Sequence, residues 1–184
     1  MAYHTGNEMV DPYLLFERAQ LRPGMHVADL GCGRTGHVVF PAAVVLGERG
    51  IVYAVDILKD VLEIIQKRAN TNRLYNIHTV WANLEHVGAT AIPEKSLDVA
   101  FLVNTLVQAD NRHGVLEEAK RLLKDKARLV IVDWARKGLK FGPQDERFVD
   151  FENIKKWANM HGFAFQEEFD VGRFHKGLVF FKQE

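Results

Sequence analysis

The spacing of apolar positions changes period repeatedly along the chain. Short runs suited to buried strands alternate with stretches spaced for one helical face. Asp11 followed by Pro12 reads as an N-cap with proline at the first helical position. A helix from there to about Gln20 puts Leu15, Phe16 and Ala19 on one side, and Pro23-Gly24 marks a turn. Residues 27–30 form a short strand entering a glycine cluster. A helix is predicted from about His37 to Leu46, closed by Gly47, with Pro41 near its first turn, where a missing N–H costs least. The β-branched run 51–55 reads as a buried strand, and 59–70 carries Val61, Leu62, Ile65 and Ala69 at helical spacing. Ile77–Trp81 and Leu97–Val103 are further strands. Val115, Leu116, Ala119, Leu122 and Leu123 define one helical face, and residues 127–132 are again a continuous apolar strand. Phe151, Ile154, Trp157 and Ala158 mark a helix ended by Gly162.

The tail changes character. Phe163, Phe165, Phe169 and Val171 alternate with polar residues, and 178–181 follows without an intervening helix. This reads as an antiparallel hairpin with a loop around 172–177. Five strands separated by helices predict a parallel sheet with helices on both faces, a Rossmann-like, doubly wound α/β fold. The hairpin adds two strands at one edge. Ligands in such sheets bind at the carboxyl ends of the strands, where strand order reverses.

A length of 184 residues suits one domain over 1–184, with 1–22 as a helical lead-in or lid. Lys+Arg and Asp+Glu balance at 24 each, which argues against a large electrostatic footprint for nucleic acid or anionic membrane. The single cysteine, Cys32, permits no intrachain disulfide and fits a reducing compartment. The start shows no secretory pattern and no apolar run is long enough to span a bilayer, so the expectation is a cytoplasmic protein. The histidines form no i, i+4 pair and no cluster with cysteine, so no metal site is expected.

The segment Val27-Ala28-Asp29-Leu30-Gly31-Cys32-Gly33-Arg34-Thr35-Gly36-His37 follows a strand and opens a helix. Gly31 and Gly33 allow a tight turn and close approach of backbone to a ligand. Gly31, Gly33 and Gly36 satisfy G-x-G-x-x-G, and Asp56 lies 20 positions after Gly36. The pattern supports two ligands, a nicotinamide dinucleotide or S-adenosylmethionine. Asp29 separates them. A carboxylate aimed into the pocket repels a pyrophosphate and attracts the ammonium group of a methionine moiety. Asp56 ends its strand, where a carboxylate can accept hydrogen bonds from both ribose hydroxyls; its other reading is a cap for the helix beginning near Lys59. Ile57 can lie against an adenine face or serve the core. Cys32, between two glycines, is there because it is small.

Residues 27–36, Asp56 after its strand, Trp81-Ala82-Asn83-Leu84-Glu85 and Leu97-Asp98-Val99-Ala100-Phe101 together resemble class I S-adenosylmethionine-dependent methyltransferases. So does the closing Gly172-Arg173-Phe174-His175-Lys176-Gly177-Leu178-Val179-Phe180. Within the class, the layout resembles the small ubiquinone/menaquinone-biosynthesis type. The resemblance implies a seven-stranded sheet whose last strand is inserted antiparallel to its neighbours. It implies S-adenosylmethionine as cofactor, held by Asp29, Gly31, Cys32, Gly33, Asp56, Ile57, Asn83, Leu84 and Asn104. Asn83 stands where many members have an aspartate near the adenine amino group. Thr35 replaces the usual third glycine and Gly36 follows, so the loop can differ in shape.

Asn104 follows the fourth strand at the reaction end and is not followed by a Pro-Pro-aromatic sequence, which argues against a flipped adenine as acceptor. His113 and His175 are expected in loops near the pocket. Asp133-Trp134 ends the fifth strand, with Trp134 either covering the core edge or touching substrate. The expected activity is methyl transfer to a small-molecule acceptor, in a pocket built from the N-terminal segment, the loop 104–113 and the region after Asp133; no catalytic residue is assigned. The alternatives are an NAD(P)-dependent oxidoreductase and a cofactor-binding protein without chemistry.

Overall fold

A computed structural model describes residues 9–184. The elements run α1 (Pro12–Arg18), β1 (His26–Leu30), α2 (Val39–Leu46), β2 (Ile51–Asp56), α3 (Lys59–Thr71), β3 (Ile77–Trp81), β4 (Leu97–Val103), α4 (Arg112–Leu122), β5 (Leu123–Trp134), α5 (Phe151–Met160), β6 (Phe163–Val171) and β7 (His175–Lys182). The strands form one sheet in the order β3-β2-β1-β4-β5-β7-β6. β1 to β5 are parallel, and β7 is antiparallel to both β5 and β6. Strand order reverses between β1 and β4, which is where a ligand crevice forms in a doubly wound sheet.

Local chemistry explains the helix starts. Asp11 accepts the Tyr13 N–H ahead of α1, and Asp150 accepts the Glu152 and Asn153 N–H groups ahead of α5. Asn111 does the same for Gly114 at the head of α4. The apolar faces then divide the core in two. Leu15, Phe16, Val39, Ala42, Leu46, Val61 and Ile65 pack on one side of the sheet, against Val27, Val99, Phe101 and Val130. Leu116, Ala119, Ile154 and Trp157 pack on the other, against Ala28, Ala100, Leu129 and Ile131.

Four expectations are corrected. The β3–β4 connection, residues 82–96, contains no helix. Its backbone is held instead by the buried Glu118 of α4, which accepts the Gly88 and Thr90 N–H groups and pairs with Arg121 at 2.7 Å. Leu123 leaves the helix and begins β5 directly, and Lys126, at φ 66°, turns the chain within that strand. The hairpin turn is confined to 172–174, with His175 and Gly177 inside β7. His113 lies within α4, where its exposed ring approaches Glu117, and not in a pocket loop.

No helix among the described residues is long and apolar enough to cross a membrane. Tyr3 and His4 of the expected lid lie outside the described residues; Tyr13 and Phe16 belong to α1, with Phe16 edge-on to Phe101 of the sheet.

Candidate functional site

A cleft of about 550 Å³ opens at the carboxyl ends of β1 to β4. Asp29, Gly31, Cys32, Gly33, Asp56, Ile57, Asn83, Leu84 and Asn104 all line it. Four separate segments therefore converge, each leaving the sheet where a strand stops.

The glycine loop forms the floor. The Gly31 and Cys32 N–H groups both donate to the Val55 carbonyl at 2.9 Å, which stitches the loop to β2. Gly31 has φ 92°, and a Cβ there would meet the Thr105 hydroxyl at 2.7 Å. Gly33 has φ 62°, and a Cβ there would project into open space, the ligand's side of the loop. Gly36 does a different job. It does not line the cleft; a Cβ would strike Ile65 and Phe40 at 2.6 Å, so this glycine lets the loop pack on α2 and α3. Thr35, in place of the usual glycine, lines the cleft and accepts Arg68 at its carbonyl.

Asp56 does the capping weighed for it and also clamps the glycine loop. Its Oδ2 accepts the Gly33 N–H and its Oδ1 accepts the Leu58 N–H, each at 3.0 Å. The second bond shapes the entry to α3; the first fixes the glycine loop. Each carboxylate oxygen keeps acceptor capacity toward the cleft. Asn83 spends its side-chain oxygen partly on a turn, accepting the Glu85 N–H at 3.0 Å. Glu85 in turn receives the Asp110 and Asn111 N–H groups, bringing the segment after β3 against the start of α4.

Asp29 is the electrostatic centre. It is 3% exposed, and its Oδ1 has no hydrogen-bond partner among the described residues. Burial, and secondarily the Asp56 charge, raise its pKa to about 7. Asn104, at φ 56°, turns sharply out of β4, its N–H donating to the Val132 carbonyl at 2.8 Å. Its Oδ1 is also buried and unpartnered. Buried polar atoms left this way are costly, and two of them facing one cleft imply a ligand that supplies donors. Burial and the neighbouring Asp29 raise the Cys32 thiol far above its usual range, so it is no nucleophile.

These features fit S-adenosylmethionine. Asp29 could hold its ammonium group, Asp56 could receive its ribose hydroxyls, and Gly33 leaves open space on the loop. A pyrophosphate would find a buried carboxyl group at the floor instead of donors alone.

The sequence reading missed part of the wall. Thr105 anchors to the Leu30 carbonyl at 2.7 Å, and Gln108, Ala109 and Val115 complete that side. The loop assigned to the acceptor thus begins as one wall of the cleft. It is tied to a later segment by Arg147, which donates to the Val107 and Gln108 carbonyls, and by Arg112, which donates to the Leu106, Phe148 and Arg147 carbonyls. Nothing in the local pattern of 136–148 signals this. Asp133 is buried on the far side, accepting the Val107 and Trp134 N–H groups; burial raises its pKa to about 6. Trp134 is not in the cleft but packs with Phe141, Phe174 and His175.

Comparison with known proteins follows this geometry. The family described as "Methyltransferase domain" matches residues 21–177. The chain is 30% identical over 106 residues to the aklanonic acid methyltransferase DauC of Streptomyces sp. (strain C5), covering 58% of this chain and 46% of that protein. It is 26% identical over 164 residues to a ubiquinone biosynthesis O-methyltransferase of Glaesserella parasuis serovar 5, covering 78% and 67%. The match spans about half the length of several such relatives. Among solved structures, an S-adenosylmethionine-dependent methyltransferase from Aquifex aeolicus superposes with a TM-score of 0.85 at 23% identity, covering 97% of this chain and 93% of that one.

Proposed function

The chain belongs to the methyltransferase-domain family, whose cofactor is S-adenosylmethionine, and on that premise we propose that it transfers a methyl group to a small-molecule acceptor. The observation that carries this reading is Asp29, a buried carboxyl group with an unpartnered oxygen at the floor of the cleft. Relatives named for aklanonic acid and ubiquinone support a small acceptor.

When bound, the cofactor supplies a methyl group already activated by its sulfonium. The protein's task is then alignment and exclusion of water. Asp29 holds the ammonium group, and pairing with that charge keeps the carboxyl ionised. Asn104 offers a further acceptor at the same end. Asp56 receives the ribose hydroxyls while its bonds to Gly33 and Leu58 keep it in place. Ile57 and Leu84 would give the adenine an apolar surface, and Asn83 would offer a remaining lone pair to its amino group. Gly31, Cys32 and Gly33 let the backbone approach.

The N-terminal segment acts in this reading as part of the acceptor-side lid. The Met9 carbonyl packs against Gly172, and the Val10 backbone hydrogen-bonds His37, so these two residues bridge the hairpin turn and the glycine loop. Removing residues 1–10 speeds cofactor release in this reading, whereas a segment that only covers the sheet leaves the off-rate unchanged.

Calorimetry tests the function. S-Adenosylhomocysteine should bind one to one and NADH should not. Tight NADH binding with none for S-adenosylhomocysteine would establish the oxidoreductase instead.

A further inference from the structure

The stretch between β4 and α4, residues 104–111, is neither helix nor strand, yet it lines the cleft through Asn104, Thr105, Gln108 and Ala109. With no ladder of its own, it takes its shape from bonds to the rest of the chain. On the N–H side, the buried Asp133 accepts from Val107 at 3.1 Å. Glu85, after β3, accepts from Asp110 and Asn111 at 3.3 and 2.8 Å. On the carbonyl side, two guanidinium groups take three consecutive residues. Arg112 Nε donates to Leu106 at 2.9 Å. Arg147 Nε donates to Val107 at 3.0 Å and its Nη2 to Gln108 at 2.5 Å. Arg147 Nη1 completes the fork on Asp110 Oδ1 at 2.7 Å.

Arg147 lies 40 positions beyond Val107, in a single 3-10 turn, Asp145–Arg147. Arg112 holds that turn in place, donating to the Phe148 carbonyl at 3.2 Å and to the Arg147 carbonyl. The guanidinium of Arg147 is therefore anchored through its own backbone. Stability does not account for this arrangement. The side chains of Arg147 and Asp110 are 36% and 85% exposed, where an ion pair adds little. Gln108 is exposed, so water would satisfy its carbonyl. What the fork adds is direction, because its donors are fixed in one plane and all three bonds go to residues 107–110. Gln108 then has its N–H on the Thr105 carbonyl and its own carbonyl on Arg147. Its side-chain amide hydrogen-bonds nothing among the described residues and stands at the cleft wall, in reach of a bound molecule.

We propose that Arg147 is a positioning residue of the cofactor site, fixing the wall at 107–109 so that the Gln108 side chain hydrogen-bonds the bound S-adenosylmethionine. This rests on the methyltransferase reading. Arg147 itself does not line the cleft, so it acts through the wall. Thr105 ties one end of that wall to the Leu30 carbonyl, and Glu85 ties the other at Asn111. Between those ties, Arg147 sets where Gln108 stands. A displacement of about 1 Å there stretches a 3 Å hydrogen bond beyond its useful range. A lysine at 147 would keep the charge near Asp110 but lose the planar fork that takes two carbonyls at once.

The test needs no identified acceptor. S-Adenosylhomocysteine is titrated calorimetrically into the full chain, with thermal melts alongside. Arg147→Met should weaken binding roughly tenfold per folded molecule, and Arg147→Lys should stay about fivefold weaker than wild type despite its charge. A second readout is spectroscopic and would not respond to a residue that merely fastens 144–148 to the body. In ¹H–¹⁵N spectra, with Gln108→Ala identifying the signal, the Gln108 side-chain amide should shift when wild type binds the ligand. In Arg147→Met at saturation, that shift should be lost. Should Arg147→Met fold poorly, Arg147→Lys carries both comparisons. A lowered Tm with wild-type affinity and an unaltered Gln108 shift, or full rescue by lysine, would overturn the proposal and leave the methyltransferase reading standing. No binding of S-adenosylhomocysteine by the wild-type chain would remove both.

Discussion

Asp56 Oδ2 accepts the Gly33 N–H at 3.0 Å, so the residue that ends β2 also sets the shape of the loop after β1. The side chain proposed to receive the ribose thus also fixes loop geometry. Asp56→Ala should weaken S-adenosylhomocysteine binding by about 1.5–3 kcal/mol, the range for hydrogen bonds to a charged group, and should release Leu58 as well. Calorimetry at fixed ionic strength measures the loss. An affinity equal to wild type would show that the ribose lies elsewhere.

The second and third glycines of the loop should respond oppositely. Gly33→Val sends a side chain into the cleft at a positive φ, so it should abolish cofactor binding while the melting transition stays cooperative. Gly36→Val drives side-chain atoms into Ile65 and Phe40, so its main effect should be a lowered Tm. Paired thermal melts and titrations of the two variants check the division.

Asp29 should trade stability for binding. Its folded pKa, about 7, lies above the ordinary 3.8, so the folded state holds the proton more tightly than the unfolded state. The stability tied to that proton is fully present below about pH 4 and is lost as pH rises through 7. Asp29→Asn should therefore raise Tm at pH 8, by about 2–4 °C for each kcal/mol recovered, and change little at pH 4. The same variant should lose cofactor affinity. In the wild type, S-adenosylhomocysteine affinity should fall as pH drops below 7, approaching tenfold per unit, because the ammonium needs the ionised carboxyl. Melting curves and titrations across pH 5–8 read both effects.

Glu118 should matter for stability alone. Burial opposes its charge, but the Arg121 guanidinium and the Gly88 and Thr90 donors prevail and hold its pKa at about 2. Its folded pKa lies below the ordinary value, so its contribution is present above about pH 4.5 and lost as pH falls through 2. Glu118→Ala strands the guanidinium and two N–H groups and should cost roughly 3 kcal/mol. Denaturant titration at pH 7 measures this, and S-adenosylhomocysteine affinity per folded molecule should stay unchanged.

Local rules reached the strands and most helix ends because those signals are short in sequence. The β-branched run before Asp56, Pro12 after Asp11 and Gly47 after Leu46 each act on neighbouring backbone. The same holds for the floor of the cleft, where Asp29, Gly31 and Gly33 sit together on the chain. The reading of five strands separated by helices does not hold between β3 and β4. Glu118 and Arg121, some 30 positions away, satisfy that loop instead.

The sequence by itself determined the doubly wound sheet, the reversal point beside β1 and the residues that line the cleft there, since each depends on period, turn chemistry or a spacing within one βαβ unit. Only the tertiary structure decided what long-range packing controls. It put Gly36 to work in packing outside the cleft, made Asp56 a clamp on the glycine loop as well as a cap, and tied the segment around Arg147 to the wall formed by Val107 and Gln108. It also set His175, the first residue of β7, against Trp134 at the end of β5, because β7 is inserted antiparallel beside β5. Burial and unpaired hydrogen-bonding atoms are properties of that packing, and no run of neighbouring residues encodes them.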